Sequence, residues 1–129
     1  MKVGDSAETT RIFNRKDLSD YARLSGHEVA GEQIPEPLIG ALFSYLLGVK
    51  LPGLGTNYLK QETCFQPGAV AGDVLTARVT ITRLRPDKQL VDLETTCRLS
   101  NDRIVASGRA LVYVGDVIGK AYKENGHDN

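Results

Sequence analysis

The sequence PEPLIGALFSYLLG, residues Pro35 to Gly48, predicts one helix that is apolar enough to be mostly buried. Pro35 and Pro37 stand where a first helical turn tolerates a missing N–H group, and Gly48 stands where a glycine commonly ends a helix. One face at helical spacing consists of Leu38, Ala41, Leu42, Tyr45 and Leu46. Ile39 and Phe43 extend the apolar surface to a second face, so we expect the rest of the chain to pack around this helix.

Three long segments after the helix alternate between apolar and polar residues, which is the period of a half-buried β-strand. Their apolar positions are Leu75, Ala77, Val79 and Ile81, then Val91, Leu93, Cys97 and Leu99, then Ile104, Ala106, Ala110, Val112 and Val114. Short turns at residues 86–88 and 100–102 join these segments, so we expect three antiparallel neighbours. Tyr58 to Phe65 and Glu8 to Phe13 predict two further strands. One buried helix with several antiparallel strands predicts an α+β fold whose sheet curls around the helix.

The remaining segments predict a single domain with a polar tail. Asn14 is a good N-cap for a short helix that ends at Gly26, and residues 27–33 then lead directly into the central helix. We expect residues 1–114 to form the domain and residues 115–129, which end in NGHDN, to be flexible.

The composition excludes several classes of function. Lys and Arg together number 16, as do Asp and Glu, so the formal charge is zero and nucleic acid is a poor candidate partner. No apolar run approaches the length of a membrane span, and no apolar signal core is present at the N-terminus. The two cysteines, Cys64 and Cys97, are too few for a disulfide framework, and we expect buried free thiols in a cytoplasmic protein. The sequence predicts neither a metal site nor a cofactor.

Several stretches resemble one family in the same order along the chain. They are VGDSAETTRIF, DLSDYARLSG, LFSYLLGVKLPGLGTNYLKQ, FQPGAVAGDVLTARVTITRLRPDKQLVDLETTC and SGRALVYV. This order resembles the hot-dog fold, in which an antiparallel sheet wraps around one long central helix, and within that fold the MaoC-like group of (R)-specific enoyl-CoA hydratases. The resemblance covers most of the chain from Val3 to Val114. It implies an acyl-CoA or acyl-carrier-protein thioester as ligand, no cofactor, and a homodimer.

The chain departs from this family at the catalytic motif. The hydratases carry D-x-N-P-x-H after the first helix, and its Asp and His activate a water; a longer overhang then leads to a His-Gly pair at the central helix. Here the chain reads SGHEVAGEQIPEPLIG, with His27 at the position of the Asp and Glu32 at the position of the His. There is no Asn-Pro and no overhang, and Pro35-Glu36 replaces His-Gly. The family's catalytic residues are therefore not carried over to this chain.

The residues at this point still offer acid–base chemistry. Hydration of an enoyl thioester needs a base for water, an acid for the α carbon and a donor for the thioester oxygen. His27 with Glu28, Glu32 or Glu36 could supply the base and the acid. The alternative for His27 is a solvated loop residue beside a helix end. Glu36 has two readings as well, because a carboxylate at a helix N-terminus can act as a simple cap, whereas hot-dog thioesterases use an acidic residue near this helix as base or nucleophile.

Substrate-binding groups are expected at two places. Resemblance to the fold implies that backbone N–H groups at the start of the central helix hold the thioester oxygen, and here Glu36, Leu38 and Ile39 have such groups whereas the prolines do not. Asn57 and Tyr58, at the start of a predicted strand, could line a pocket against the helix start; Tyr58 could equally be a core or interface aromatic.

Three functions remain open from the sequence. The first is a hydratase or dehydratase that acts on a short enoyl-CoA or 3-hydroxyacyl-CoA, with a rearranged dyad of His27 and a glutamate. The second is an acyl-CoA thioesterase that uses Glu36. The third is a non-catalytic hot-dog subunit that has lost its dyad, and the missing overhang favours this third hypothesis somewhat.

Overall fold

The structure, a computed structural model, describes residues 1–26, 31–53 and 57–115. The helical elements are α1 (Arg15–Ser25), α2 (Glu36–Tyr45), a π-helical turn (Leu46–Lys50) that continues α2, and a short 3₁₀ turn (Pro86–Lys88). The strands are β1 (Ser6–Ile12), β2 (Asn57–Phe65), β3 (Val74–Arg85), β4 (Leu90–Arg98) and β5 (Ile104–Tyr113). His27, Glu28 and the expected flexible tail lie outside the described residues, apart from Gly115.

The strands form one five-stranded sheet in the order β1-β3-β4-β5-β2, and all neighbours are antiparallel. The three strands predicted from alternation, β3, β4 and β5, are adjacent as expected. Most of their predicted apolar positions are fully or almost fully buried, but Ile104 is 41% exposed and Val105 is buried in its place, where the pairing of β5 with β4 shifts register. The helix α2 with its π-helical turn packs against β3 and supplies the other half of the core. The predicted α+β hot-dog architecture, an antiparallel sheet around one central helix, is confirmed.

The first helix is capped at both ends as its sequence predicts. The side chain of Asn14 accepts a hydrogen bond from the N–H of Asp17 at 2.9 Å, and the carboxylate of Asp17 accepts one from the N–H of Asn14 at 2.9 Å. This reciprocal pair is a capping box, which satisfies two otherwise unpaired donors. Gly26 has a φ of 73° and its N–H donates to the Ala22 carbonyl, so the helix ends in a left-handed glycine cap.

The prediction that Gly48 ends the central helix is wrong. The helix widens at Leu46 into a π-helical turn that runs to Lys50, and the N–H of Leu51 donates to the Leu46 carbonyl at 2.8 Å. Leu46 and Leu47 are both fully buried. Burial of two leucines on this turn stabilises the helical path past the glycine, and local propensity is the weaker effect.

The prediction of the buried helix face is also only partly right. The most deeply buried side chains of α2 and its π-helical turn are Ile39, Leu42, Phe43, Leu46 and Leu47. On the predicted face, Leu38 is only half-buried, Ala41 is exposed and Tyr45 is 44% exposed. Because α2 is apolar on almost every side, the spacing of its apolar residues does not distinguish the core face from its neighbour.

Thr95 on β4 is the one buried polar residue within the described residues, and its hydroxyl has no hydrogen-bond partner there. An unpaired buried hydroxyl costs about 1–3 kcal/mol, whereas valine has nearly the same shape and nothing to desolvate. We expect Thr95→Val to raise the free energy of unfolding by about 1 kcal/mol in urea denaturation. A loss of stability of that size would contradict this and would indicate a partner for the hydroxyl, such as a buried water.

The two thiols differ, which corrects the expectation that both are buried. Cys64 on β2 is exposed, whereas Cys97 on β4 is fully buried, and burial raises the pKa of the Cys97 thiol to about 11. Because of this raised pKa, Cys97 stays protonated in the folded protein as pH rises through the range in which an unfolded cysteine ionises. Only the thiolate is nucleophilic, so Cys97 is unreactive in that range. At pH 8 we expect a disulfide reagent to titrate one thiol rapidly in the folded protein and both in denaturant. Rapid reaction of both thiols in the folded protein would contradict the burial of Cys97.

Candidate functional site

The start of α2 is held by backbone hydrogen bonds to the loop before β3. The N–H of Ile34 donates to the Ala69 carbonyl at 2.9 Å, and the N–H of Ala71 donates to the Glu32 carbonyl at 2.8 Å. Gln33 and Val70 form an isolated antiparallel bridge between these bonds. Residues 32–34, which lead into the helix, are therefore fixed in position against this loop.

The first turn of α2 offers fewer free donors than the sequence implied. Pro35 is the N-cap in extended conformation, and no side chain caps the helix. The N–H of Leu38 donates to the Pro35 carbonyl at 3.1 Å, so that group is already engaged. The side chain of Ile39 is 3% exposed and belongs to the core, so only its backbone could contribute to a site. Glu36, the first residue of α2, presents its N–H at the tip of the helix.

The carboxylates near this helix start are in different environments. Glu36 is exposed in the first turn, where the partial positive charge of the helix end favours a carboxylate. Glu32 forms an ion pair with Arg15, the first residue of α1, and the Glu32 side chain is 47% exposed. This ion pair links α1 to the residues that lead into α2. It also engages the Glu32 carboxylate, which the sequence analysis placed in the rearranged dyad with His27. His27, the predicted partner of both, lies outside the described residues.

Asn57 and Tyr58 do not lie at the start of α2. Both are exposed residues of the edge strand β2, where Asn57 is paired with Tyr113 of β5. Ser44, near the C-terminal end of α2, hydrogen-bonds with the Tyr58 hydroxyl. Partial burial raises the pKa of Tyr58 above its usual value despite this hydrogen bond. A role in substrate binding for these residues stays a prediction, and for Tyr58 the contact with Ser44 places it beside the far end of the helix.

A groove beside β1 was missed by the sequence reasoning. It has a volume of about 420 Å³ and is lined by Thr9, Arg11, Phe13, Leu38, Ala41, Leu42 and Tyr45. The groove residues that come from α2 belong to the helix face that was predicted to be buried: Leu38, Ala41, Leu42 and Tyr45. On β1, the alternating positions in TTRIF already place Thr9, Arg11 and Phe13 on one face, and that was the available signal.

Two further properties of the described part of the chain bear on chemistry. No group of His, Cys, Asp and Glu within it is placed to hold a metal ion. No helix in the same ranges has the length and hydropathy of a membrane-spanning segment.

Comparison with known proteins identifies relatives along nearly the whole chain. The (R)-specific enoyl-CoA hydratase of Aeromonas caviae is 32% identical over 134 aligned positions, which cover 93% of this chain and 95% of the relative. The 3-hydroxybutyryl-CoA dehydratase of Methylorubrum extorquens is 36% identical over 109 positions, which cover 84% of this chain and 68% of the relative. No family model matches the sequence.

Solved structures give the same result for the fold. The (R)-hydratase from A. caviae, which is involved in PHA biosynthesis, superposes with a TM-score of 0.80 at 32% identity, over 88% of this chain and 97% of the other. An unliganded R-hydratase from Pseudomonas aeruginosa has a TM-score of 0.80 at 29% identity, over 88% and 82%. A protein from Archaeoglobus fulgidus, at 18% identity and a TM-score of 0.71 over 88% and 79%, shares the fold alone.

Proposed function

This chain belongs to the (R)-specific enoyl-CoA hydratase family, and we propose that it is a hydratase or dehydratase that interconverts a short enoyl thioester and the (R)-3-hydroxyacyl thioester. The observation that carries the proposal is similarity over nearly the full length of both chains, at 32% identity with the A. caviae hydratase and 36% with a dehydratase. Likeness that spans the whole domain argues for a shared ligand class, because the helix start and the strands around it are all included.

The proposed reaction adds water across the double bond. In this proposal His27 takes a proton from water as the oxygen attacks C3 of the enoyl group, and the Glu36 carboxylate relays that proton to C2, so that both residues return to their starting state. The N–H of Glu36 and the dipole of α2 stabilise the negative charge on the thioester oxygen. What supports Glu36 over Glu32 as the acid is that Glu36 is exposed at the tip of the helix, whereas Glu32 is paired with Arg15.

The same proposal includes assembly and location. We infer a homodimer that forms through the free edge of β2, because β2 is paired only with β5 among the described strands and exposes Tyr58 and Leu59. We also infer that the thioester is the only group bound, with no cofactor, and that the protein is cytoplasmic, which agrees with the free thiols at Cys64 and Cys97.

A two-channel assay with crotonyl-CoA tests the proposed reaction. One channel follows loss of the conjugated enoyl absorbance, and the other detects free CoA thiol. We expect loss of the enoyl absorbance without thiol release. In the Glu36→Gln variant we expect the rate of enoyl loss to fall by about 10²-fold or more, and in Glu32→Gln we expect a smaller decrease.

Two other outcomes would replace the proposal. Release of thiol that disappears in Glu36→Gln would identify a thioesterase with Glu36 as base or nucleophile. Silence in both channels, with longer enoyl-CoA substrates as well, in a protein that binds CoA esters by calorimetry, would identify a non-catalytic subunit. The non-catalytic alternative is included because Glu32, one of the glutamates in the predicted dyad, is already paired with Arg15.

A further inference from the structure

The groove beside β1 combines an apolar floor with positive charge at its rim. Phe13, Leu38, Ala41 and Tyr45 line it, and its volume of about 420 Å³ is within the usual range for small-molecule sites. Leu38 and Tyr45 are seven positions apart on α2, so the floor is about 10 Å long. We propose that this groove binds a medium-chain carboxylate, with the chain along α2 and the carboxylate on Arg11.

Arg11 is poised to bind an anion. Its guanidinium lies over the Phe13 ring, 4.8 Å from the ring centroid. Stacking occupies one face of the planar group and leaves the N–H donors at its edge free for a bidentate contact with a carboxylate. In the described part of the chain no carboxylate pairs with Arg11, although the side chain is exposed on the same face of β1 as Thr9 and Phe13.

A second cation stands at the other end of the groove. Lys50, the last residue of the π-helical turn, lies 5.9 Å from the centroid of the Tyr45 ring and donates to the backbone carbonyl of Glu8 at 3.2 Å. It too has no carboxylate partner within the described ranges. The rim therefore carries two positive charges that form no ion pair within the described residues, which favours an anionic amphiphile over a neutral one.

The groove continues past Leu38 into an adjoining hollow of about 410 Å³ between α1 and α2, which also contains Tyr21 and Leu24. Two acids line this hollow, but both have partners: Asp17 accepts from the N–H of Asn14, and Asp20 is paired with Arg23.

Charge also argues against a second copy of this chain as the occupant. A two-fold interface brings a surface patch onto itself. Such pairing here would bring Arg11 and Lys50 of one copy against the same cations of the other, and like charges in an interface oppose association. This inference does not rest on the proposed hydration, because it involves neither His27 nor either candidate glutamate.

Calorimetric titration of the full chain with sodium decanoate tests the proposal. We expect saturable binding that is weakened about tenfold or more in Arg11→Gln, and lost in Ala41→Glu, which places a carboxylate on the floor. Arg98→Gln is the matched control, because Arg98 is an exposed arginine on β4 that does not line the groove. Decanol, which has the chain without the charge, should bind at least about tenfold more weakly than decanoate.

Thermal melts of each variant verify folding, so that lost binding is not mistaken for lost structure. Absence of saturable decanoate binding to the folded wild-type chain would overturn the proposal, as would equal affinity in wild type and Arg11→Gln. Concentration-dependent self-association that Ala41→Glu abolishes would also overturn it, because a second copy would then occupy the groove. Crotonyl-CoA turnover is measured on the same protein samples. Decanoate binding and turnover can then succeed or fail independently, so the result for the groove is separate from the result for the proposed reaction.

Discussion

His27→Ala is expected to reduce the rate of crotonyl-CoA hydration by about 10²- to 10⁴-fold, which is the usual contribution of a general base. The proposed reaction needs a group that accepts a proton from water near neutral pH, and an imidazole is the side chain whose ordinary pKa suits that task. Loss of the enoyl absorbance, measured at saturating and at low substrate, reports the effect on the chemical step and on binding separately.

The chain supplies a matched control for this variant. His27 and His127 are its two histidines, so His127→Ala removes the same side chain from the polar C-terminal segment. We expect hydration at the wild-type rate in His127→Ala. Hydration that survives in His27→Ala would remove this residue from the mechanism and leave the glutamates at the helix start as the remaining acid–base groups.

Gly108→Ala is expected to lower the free energy of unfolding by about 3 kcal/mol or more, which corresponds to a decrease in melting temperature of about 10 °C. Gly108 lies on β5 opposite Thr63 of β2. A Cβ there would overlap the carbonyl oxygen of Glu62 and lie 2.8 Å from its carbonyl carbon and 2.9 Å from the Thr63 Cα. Because these are backbone atoms, β2 as a whole must move away from β5.

Gly40→Ala is the control for this glycine. It lies within α2, and a Cβ built there meets nothing within 4 Å. Alanine is the better helix former, so we expect Gly40→Ala to raise the free energy of unfolding by about 0.5–1 kcal/mol. Urea denaturation of the two variants measures both effects. Equal stability of Gly108→Ala and wild type would show that β2 adapts to the added methyl group without cost.

Most of the sheet could be predicted from the sequence because a half-buried strand is recognised by the alternation of apolar and polar residues within its own segment. Each of β3 and β4 is an antiparallel strand with one buried face, and alternation along the chain reports that burial directly. At the start of β5 the alternation fails, because Val105 and Ala106 are both buried beside a register shift. The capping box at Asn14 is equally local. The buried face of the central helix could not be predicted in the same way, because the helix is apolar on most sides. Its sequence does not distinguish Tyr45, which is 44% exposed, from Phe43, which is fully buried.

The site could be predicted only where it depends on one segment. The position of Glu36 at the start of α2 follows from the adjacent prolines, and the structure agrees. The Arg15–Glu32 ion pair joins two elements, and nothing in either segment indicates the other. The groove on Arg11 and Leu38 likewise arises from the packing of β1 beside α2, and its composition appears only once the two elements are placed together.

The identity and configuration of the product that the wild-type chain forms from crotonyl-CoA decide whether it is an (R)-specific hydratase. We expect 3-hydroxybutyryl-CoA of (R) configuration, with no released thiol, and the same enantiomer consumed in the reverse direction. Formation of the (S) product would contradict the proposed mechanism. Recovery of unreacted crotonyl-CoA, or of crotonate and free CoA, would contradict the assignment as a hydratase.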